Sequence, residues 1–165
     1  MDIPPDKTQQ LRQYAWDYFH LHSTQRMSVF NFFTFLAALM TTGLVTTFGP
    51  NFQAHSLGIA LGALLSLIAF VFWKLDQRTR FLIKNAEEAL KELEGSIGGE
   101  QDQPHPATLF RYEEHRTSAA RRAQSIWPWR RQLSYGKSLN LVFLLFGLFG
   151  LIGAAISAGL QFSLV

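Results

Sequence analysis

Residues 27–73 read MSVFNFFTFLAALMTTGLVTTFGPNFQAHSLGIALGALLSLIAFVFW, 47 positions without an Asp, Glu, Lys or Arg. A bilayer core about 30 Å thick needs around 20 apolar helical residues to cross it. Gly49-Pro50-Asn51, with Gln53, His55 and Ser56 close behind, interrupts the run near its middle. Proline does not fit a regular helix interior, and Gly and Asn favour turns. The stretch therefore predicts a helical hairpin, with spans at 27–48 and 57–73 joined by a short loop. Buried helices of a soluble bundle normally keep a polar face, whereas 57–73 carries one polar side chain, Ser66.

Outward from the hairpin, residues 138–165 form a second charge-free run of 28, with a third span expected at 139–160. The 165-residue chain is 48% hydrophobic and 16% charged, against roughly 25% charged in ordinary soluble domains. This partition excludes a disordered chain and argues against a soluble enzyme. The absence of cysteine excludes a disulfide scaffold, a Cys-ligated metal and thiol catalysis. The first 26 residues, with Asp2, Asp6 and Asp17, do not follow the signal-peptide pattern. The first apolar segment is thus expected to stay as an anchor. The predicted fold is all-α, a polytopic membrane protein with three transmembrane helices and a helical cytoplasmic region. Residues 1–26 form an amphipathic interfacial helix, 27–73 the hairpin, 74–138 the cytoplasmic helices, and 139–165 the third span with a short non-cytoplasmic tail.

Charge sets the expected orientation. All 15 Lys and Arg lie in 1–26 or 74–138, and none in 49–56 or after the third span. The positive-inside rule places the N-terminus and middle region in the cytoplasm and the C-terminus on the other side. Leu11, Tyr14, Ala15, Tyr18 and Phe19 give residues 8–26 an apolar-aromatic face suited to headgroups or to a subunit contact. Helix is expected to continue beyond the second span. Leu75, Leu82, Ala86, Ala89, Leu93 and Ile97 make a narrow seam whose partner is a helix at 107–125 or another copy. Residues 98–106 read as a linker. Trp127, Trp129, Arg130 and Arg131 mark re-entry at a lipid interface.

Lipid gives spans no hydrophobic reason to associate, so small residues and interhelical hydrogen bonds must bring them together. Gly58, Gly62, Ser66 and Ala69 form such a stripe in the second span, and Gly147, Gly150, Ala154 and Ser157 in the third. These are expected to serve helix packing and oligomer contacts. In the first span Asn31, Thr34, Ala38, Thr41 or Thr42, and Thr46 lie on roughly one face. They pack against another helix or, with Asn31, Thr34 and Thr42 in front, line a pore. An intramembrane Asn needs a partner or water.

Catalytic chemistry is thin. The spans hold no acidic residue for a proton relay, and no phosphate-binding glycine loop occurs. His20 and His22 would point apart on a helix, and Arg111 with His115 reads as a solvated helix face. No catalytic residue, cofactor or metal is expected. The middle region's net charge of +3, from 12 basic and 9 acidic residues, is no nucleic-acid patch.

Certain residues carry a resemblance. Tyr18-Phe19, Leu21-His22, Gln25-Arg26-Met27 and Phe30-Asn31-Phe32-Phe33 lead into the first span. Leu75-Asp76-Gln77-Arg78, Leu82-Ile83-Lys84, and Ala86-Glu87 through Leu90-Lys91 leave the second. Over residues 14–94 the chain resembles the RipA-family octameric membrane proteins of bacteria. Its architecture is similar to the pore-forming accessory protein of type VI-B CRISPR systems and to SLATT effectors. The resemblance implies a homo-oligomeric ring in the bacterial cytoplasmic (inner) membrane, and a pore in stress response or phage defence. The alternative is a non-conducting scaffold whose cytoplasmic helices dock a soluble partner. A membrane-bound enzyme acting through the His115 region ranks last.

Overall fold

The computed structural model of the chain describes residues 5–49, 54–97, 109–110 and 135–163. The main elements are helices: α1 at Pro5–Thr46, α2 at His55–Ile97 and α3 at Tyr135–Ser163. No strand occurs among the described residues. All three helices are long and apolar enough to cross a membrane. The first two far exceed a span because no Gly or Pro interrupts residues 6–42 or 63–94, so nothing stops the helix where charge begins. α1 closes with three short bonds, from the N–H groups of Thr47, Phe48 and Gly49 to the carbonyls of Leu44, Val45 and Thr46 at 3.1–3.2 Å. This tightened last turn satisfies carbonyls that a helix end leaves open.

The chain divides into two compact units, Gln25–Arg78 with Ser134–Val165, and Met1–Thr24 with Thr79–Leu133. In the first unit three helical segments pack around Phe33, which is fully buried with Ala37, Leu65, Ala69, Leu139 and Phe143. The Phe33 ring lies 4.7 Å from Phe143, 5.4 Å from Phe72 and 5.8 Å from Phe146, centroid to centroid. Tilted and edge-to-face geometry suits the ring quadrupoles. Lys74 caps the apolar stretch of α2, its ammonium 4.9 Å from the Trp73 ring and 5.9 Å from Phe70. This is a cation–π contact that lets the charge reach polar surroundings.

In the second unit the early part of α1 packs on the late part of α2. The buried line of α2 keeps Ala86 from the expected seam and shifts by one residue on either side of it, to Ile83 and Leu90. Ile83, Ala86 and Leu90 are buried, while Leu75 is exposed and so is Ala89. Spacing alone admits both registers, and the partner selects one. That partner includes residues 11–18 of α1, with Ala15 buried. Leu11, Tyr14 and Tyr18 line an apolar groove with Ala86, Ala89 and Leu93. Leu109 and Phe110, from the region expected to form a helix at 107–125, are helical. The Phe110 ring stands edge-on to Phe19 at 5.7 Å, and its N–H reaches Glu94 Oε1 at 3.5 Å. The linker at 98–106 lies outside the described residues.

Candidate packing seam and outward face of the membrane unit

α2 and α3 run antiparallel, and their small-residue stripes meet each other within one chain. The Ser66 hydroxyl donates to Gly147 O at 2.9 Å and lies 3.0 Å from Gly62 O in its own helix. A Cβ on Gly62 would stand 2.5 Å from Gly150 O and 2.7 Å from Ala154 N. A Cβ on Gly150 would stand 2.6 Å from Gly62 O. These are backbone atoms, so neither helix yields without moving as a body. One on Gly58 would collide with the hydroxyls of Ser157 and Thr47. At Gly147 the approach is looser, with Ala69 Cβ 3.6 Å away. Gly58, Gly62, Ser66, Gly147, Gly150 and Ala154 thus form one intrachain seam. α1 joins the same end of the bundle through Leu44, whose Cδ2 a Cβ on Gly153 would meet at 2.5 Å.

An ion pair joins α1 to α2. Arg26 Nε donates to Asp76 Oδ1 at 2.6 Å, and a terminal guanidinium nitrogen to Oδ2 at 2.9 Å. The side chains are only 10% and 4% exposed. A two-pronged guanidinium–carboxylate bond is directional as well as strong. It defines the rotation of α1 relative to α2, and so which side of α1 turns outward. Both residues belong to the motifs that carry the family resemblance, but reading the sequence does not pair them. The signal that could is the presence of opposite charges just outside two spans of one hairpin.

The outward side of α1 carries Met27, Asn31, Thr34, Ala38, Thr42 and Val45, all exposed at helical spacing. Thr34 Oγ1 donates to Phe30 O, and Thr42 Oγ1 to Ala38 O, each at 2.9 Å. Thr46 Oγ1 donates to Gly43 O at 2.7 Å. The hydroxyl protons are used within the helix, which leaves oxygen lone pairs facing outward. Asn31 has no such local bond. Thr41 sits a step around the helix, half-buried, so of the two candidates Thr42 is the outward one. Between residues 57 and 73 the exposed positions of α2 are Leu57, Ala60, Ala63, Leu64, Leu67, Phe70 and Val71. From Leu141 to Leu160 the exposed positions of α3 are apolar or glycine. Within these stretches, exposed polar side chains belong to α1. Trp127, Trp129, Arg130 and Arg131, with Arg111 and His115, lie outside the described residues. No group of three or more His, Cys, Asp or Glu able to hold a metal occurs among the described residues.

Comparison with known proteins agrees with this architecture. Over 96 residues, 58% of the chain, it is 38% identical to the Escherichia coli protein named CD-NTase-associated protein 19. The alignment spans 64% of that relative's length. No solved structure matches. The profile of the octameric membrane protein family, 8xMP, matches residues 9–159, from the early turns of α1 to near the end of α3, and the chain belongs to that family.

Proposed function

We propose that the protein forms or gates a pore as a ring of copies in the bacterial cytoplasmic membrane, with the outward face of α1 at the lumen. The observation that carries this reading is the confinement of exposed intramembrane polar side chains to α1. An amide in hydrocarbon is costly without a partner or water, and Asn31 faces away from its own bundle. A ring that turns this face inward supplies water to Asn31 and leaves the apolar faces of α2 and α3 to lipid. The lumen then carries no charged ring, so passage depends on width and wetting rather than on charge. The basic residues orient each copy with its N-terminus in the cytoplasm and its C-terminus outside.

The relative's name, CD-NTase-associated, supports a place beside a CD-NTase and, with the likeness to type VI-B accessory proteins and SLATT effectors, in phage defence or stress response. The reading assigns no enzymatic step. Purified protein in planar bilayers tests it. Discrete conductance in wild type, lowered in Asn31→Leu, is expected. A non-conducting octamer leaves the scaffold reading, in which the cytoplasmic helices dock a soluble partner. Reporter fusions after Phe162 and in the 49–56 loop should both mark the non-cytoplasmic side.

A further inference from the structure

We propose that the unit built from residues 5–24 and 79–97 holds the octamer together, by seating Trp16 of one copy in the α1–α2 groove of the next. The inference rests on the octameric assembly of the family and not on conduction.

Its starting point is where a hydrophobic driving force exists. Between lipid-exposed spans there is none, because lipid tails are as apolar as the side chains they would replace. Asp6, Arg12, Asp17, Lys84, Glu88 and Glu92 spread charge over the exposed surface of the second unit, which keeps that surface out of hydrocarbon and in contact with water. There, exposed apolar area is unfavourable and its burial drives association. Among the exposed apolar side chains of its described residues, which also include Leu21, Phe81 and Leu109, two surfaces involve opposite sides of α1. One is the groove of about 620 Å³ floored by Ala86 and Ala89, with Leu11 and Tyr14 at its side. Tyr14 is 69% exposed despite lining it. The other is Trp16, 46% exposed and held by stacking on Phe19 at 5.8 Å.

Tyr14 and Trp16 are two residues apart, about 200° around the helix. They therefore occupy opposite flanks of α1. Symmetry requires that arrangement. Copies inserted with one orientation can be related only by an axis along the membrane normal, and a cyclic ring joins two different surfaces at every interface. The groove also offers what an indole requires. Its ring needs apolar walls and its N–H an acceptor, and Asn85 and Glu92 stand among the lining residues with side-chain oxygens.

The cysteine-free chain permits a direct test in native membranes. His20 lies one turn from Trp16 on the same flank, and Asn85 lines the groove. Oxidation of the double variant His20→Cys/Asn85→Cys should give a ladder of products reaching eight copies on a non-reducing gel. Neither single variant should give one. Trp16→Ala and Tyr14→Arg should shift the detergent-solubilised octamer toward one or two copies, with helical circular dichroism unchanged. A double variant that stays monomeric on oxidation overturns the inference. So does an intact octamer in both Trp16→Ala and Tyr14→Arg, which leaves the groove to a soluble partner. Dimers from His20→Cys alone would mean a self-facing contact and also overturn it. A ladder without conductance keeps this interface and removes the pore.

Discussion

Gly58, Gly62 and Ser66 on α2 and Asn31, Thr34 and Thr42 on α1 are both stripes of small and polar residues at helical spacing. The first is closed within the chain against Gly147, Gly150 and Ala154. The second stays open. The difference lies in what each stripe leaves unsatisfied. Glycine invites close backbone approach, and α3 provides it, while Ser66 finds a carbonyl across the seam. Thr34 and Thr42 bond carbonyls of their own helix and Asn31 does not, which leaves its amide open to water or to another copy. A small-residue stripe in a span therefore does not by itself mark a subunit interface. An unmet hydrogen-bonding group on one is the more informative feature.

The largest expected effect comes from the ion pair that keeps these two faces apart. Arg26→Ala strands the Asp76 carboxylate in a buried position, and removing one partner of such a pair typically costs about 3–5 kcal/mol. Chemical unfolding in detergent should register that loss, and exchanging the charges in Arg26→Asp/Asp76→Arg should recover much of it. Without the pair α1 can rotate, and the distinction between its inner and outer sides should blur in cysteine-accessibility scans.

Next is the seam. Gly62→Leu drives a side chain into the backbone of α3, where overpacking costs about 1–3 kcal/mol. Its mark is a lower melting temperature of the unit itself. Gly147→Ala, with ordinary contact distance available, should melt within about 0.5 kcal/mol of wild type. If both variants instead leave melting unchanged and dissociate the octamer, the seam lies between subunits and the contrast collapses. Ser66→Ala removes the bond to Gly147 O and should cost about 0.6 kcal/mol, the average for polar contacts between spans.

The smallest effect on stability belongs to Asn31→Leu, on the exposed side of α1. Melting should not change, while conductance falls as the lumen dewets. A loss of assembly by about 1 kcal/mol would move Asn31 from the lumen to a subunit contact. Single cysteines at Asn31, Thr34 and Thr42 should react with a water-soluble thiol reagent, and one at Leu144 should not. Phe35, 71% exposed, flanks the same outward side.

Much of the architecture is legible in the amino-acid sequence. Three charge-free segments, a Gly-Pro-Asn break and uninterrupted helix-forming stretches specify the spans, their loop and the helices that continue past them. These depend on solvent, since hydrocarbon rejects charge and forces backbone bonds into helices. The partners of the faces are not legible there. Periodicity gives the side of a helix but not its neighbour. Thus Ala89 can stand in for Leu90 in a predicted seam, and Thr41 for Thr42 in a stripe. Phe33 reads like Phe32 and Phe35 beside it, yet it alone of the three is fully buried.

What the sequence determined by itself is the membrane hairpin, the third span and the asymmetry of charge, because each follows from the cost of moving a residue between water and lipid. Only the tertiary structure decided that the glycine stripes of α2 and α3 close on one another, that Arg26 meets Asp76, and that Asn31 is left facing outward. Those outcomes depend on how three helices rotate about their axes. That rotation is selected by a few short contacts between residues distant in sequence, Ser66 with Gly147 and Arg26 with Asp76, which no local pattern encodes.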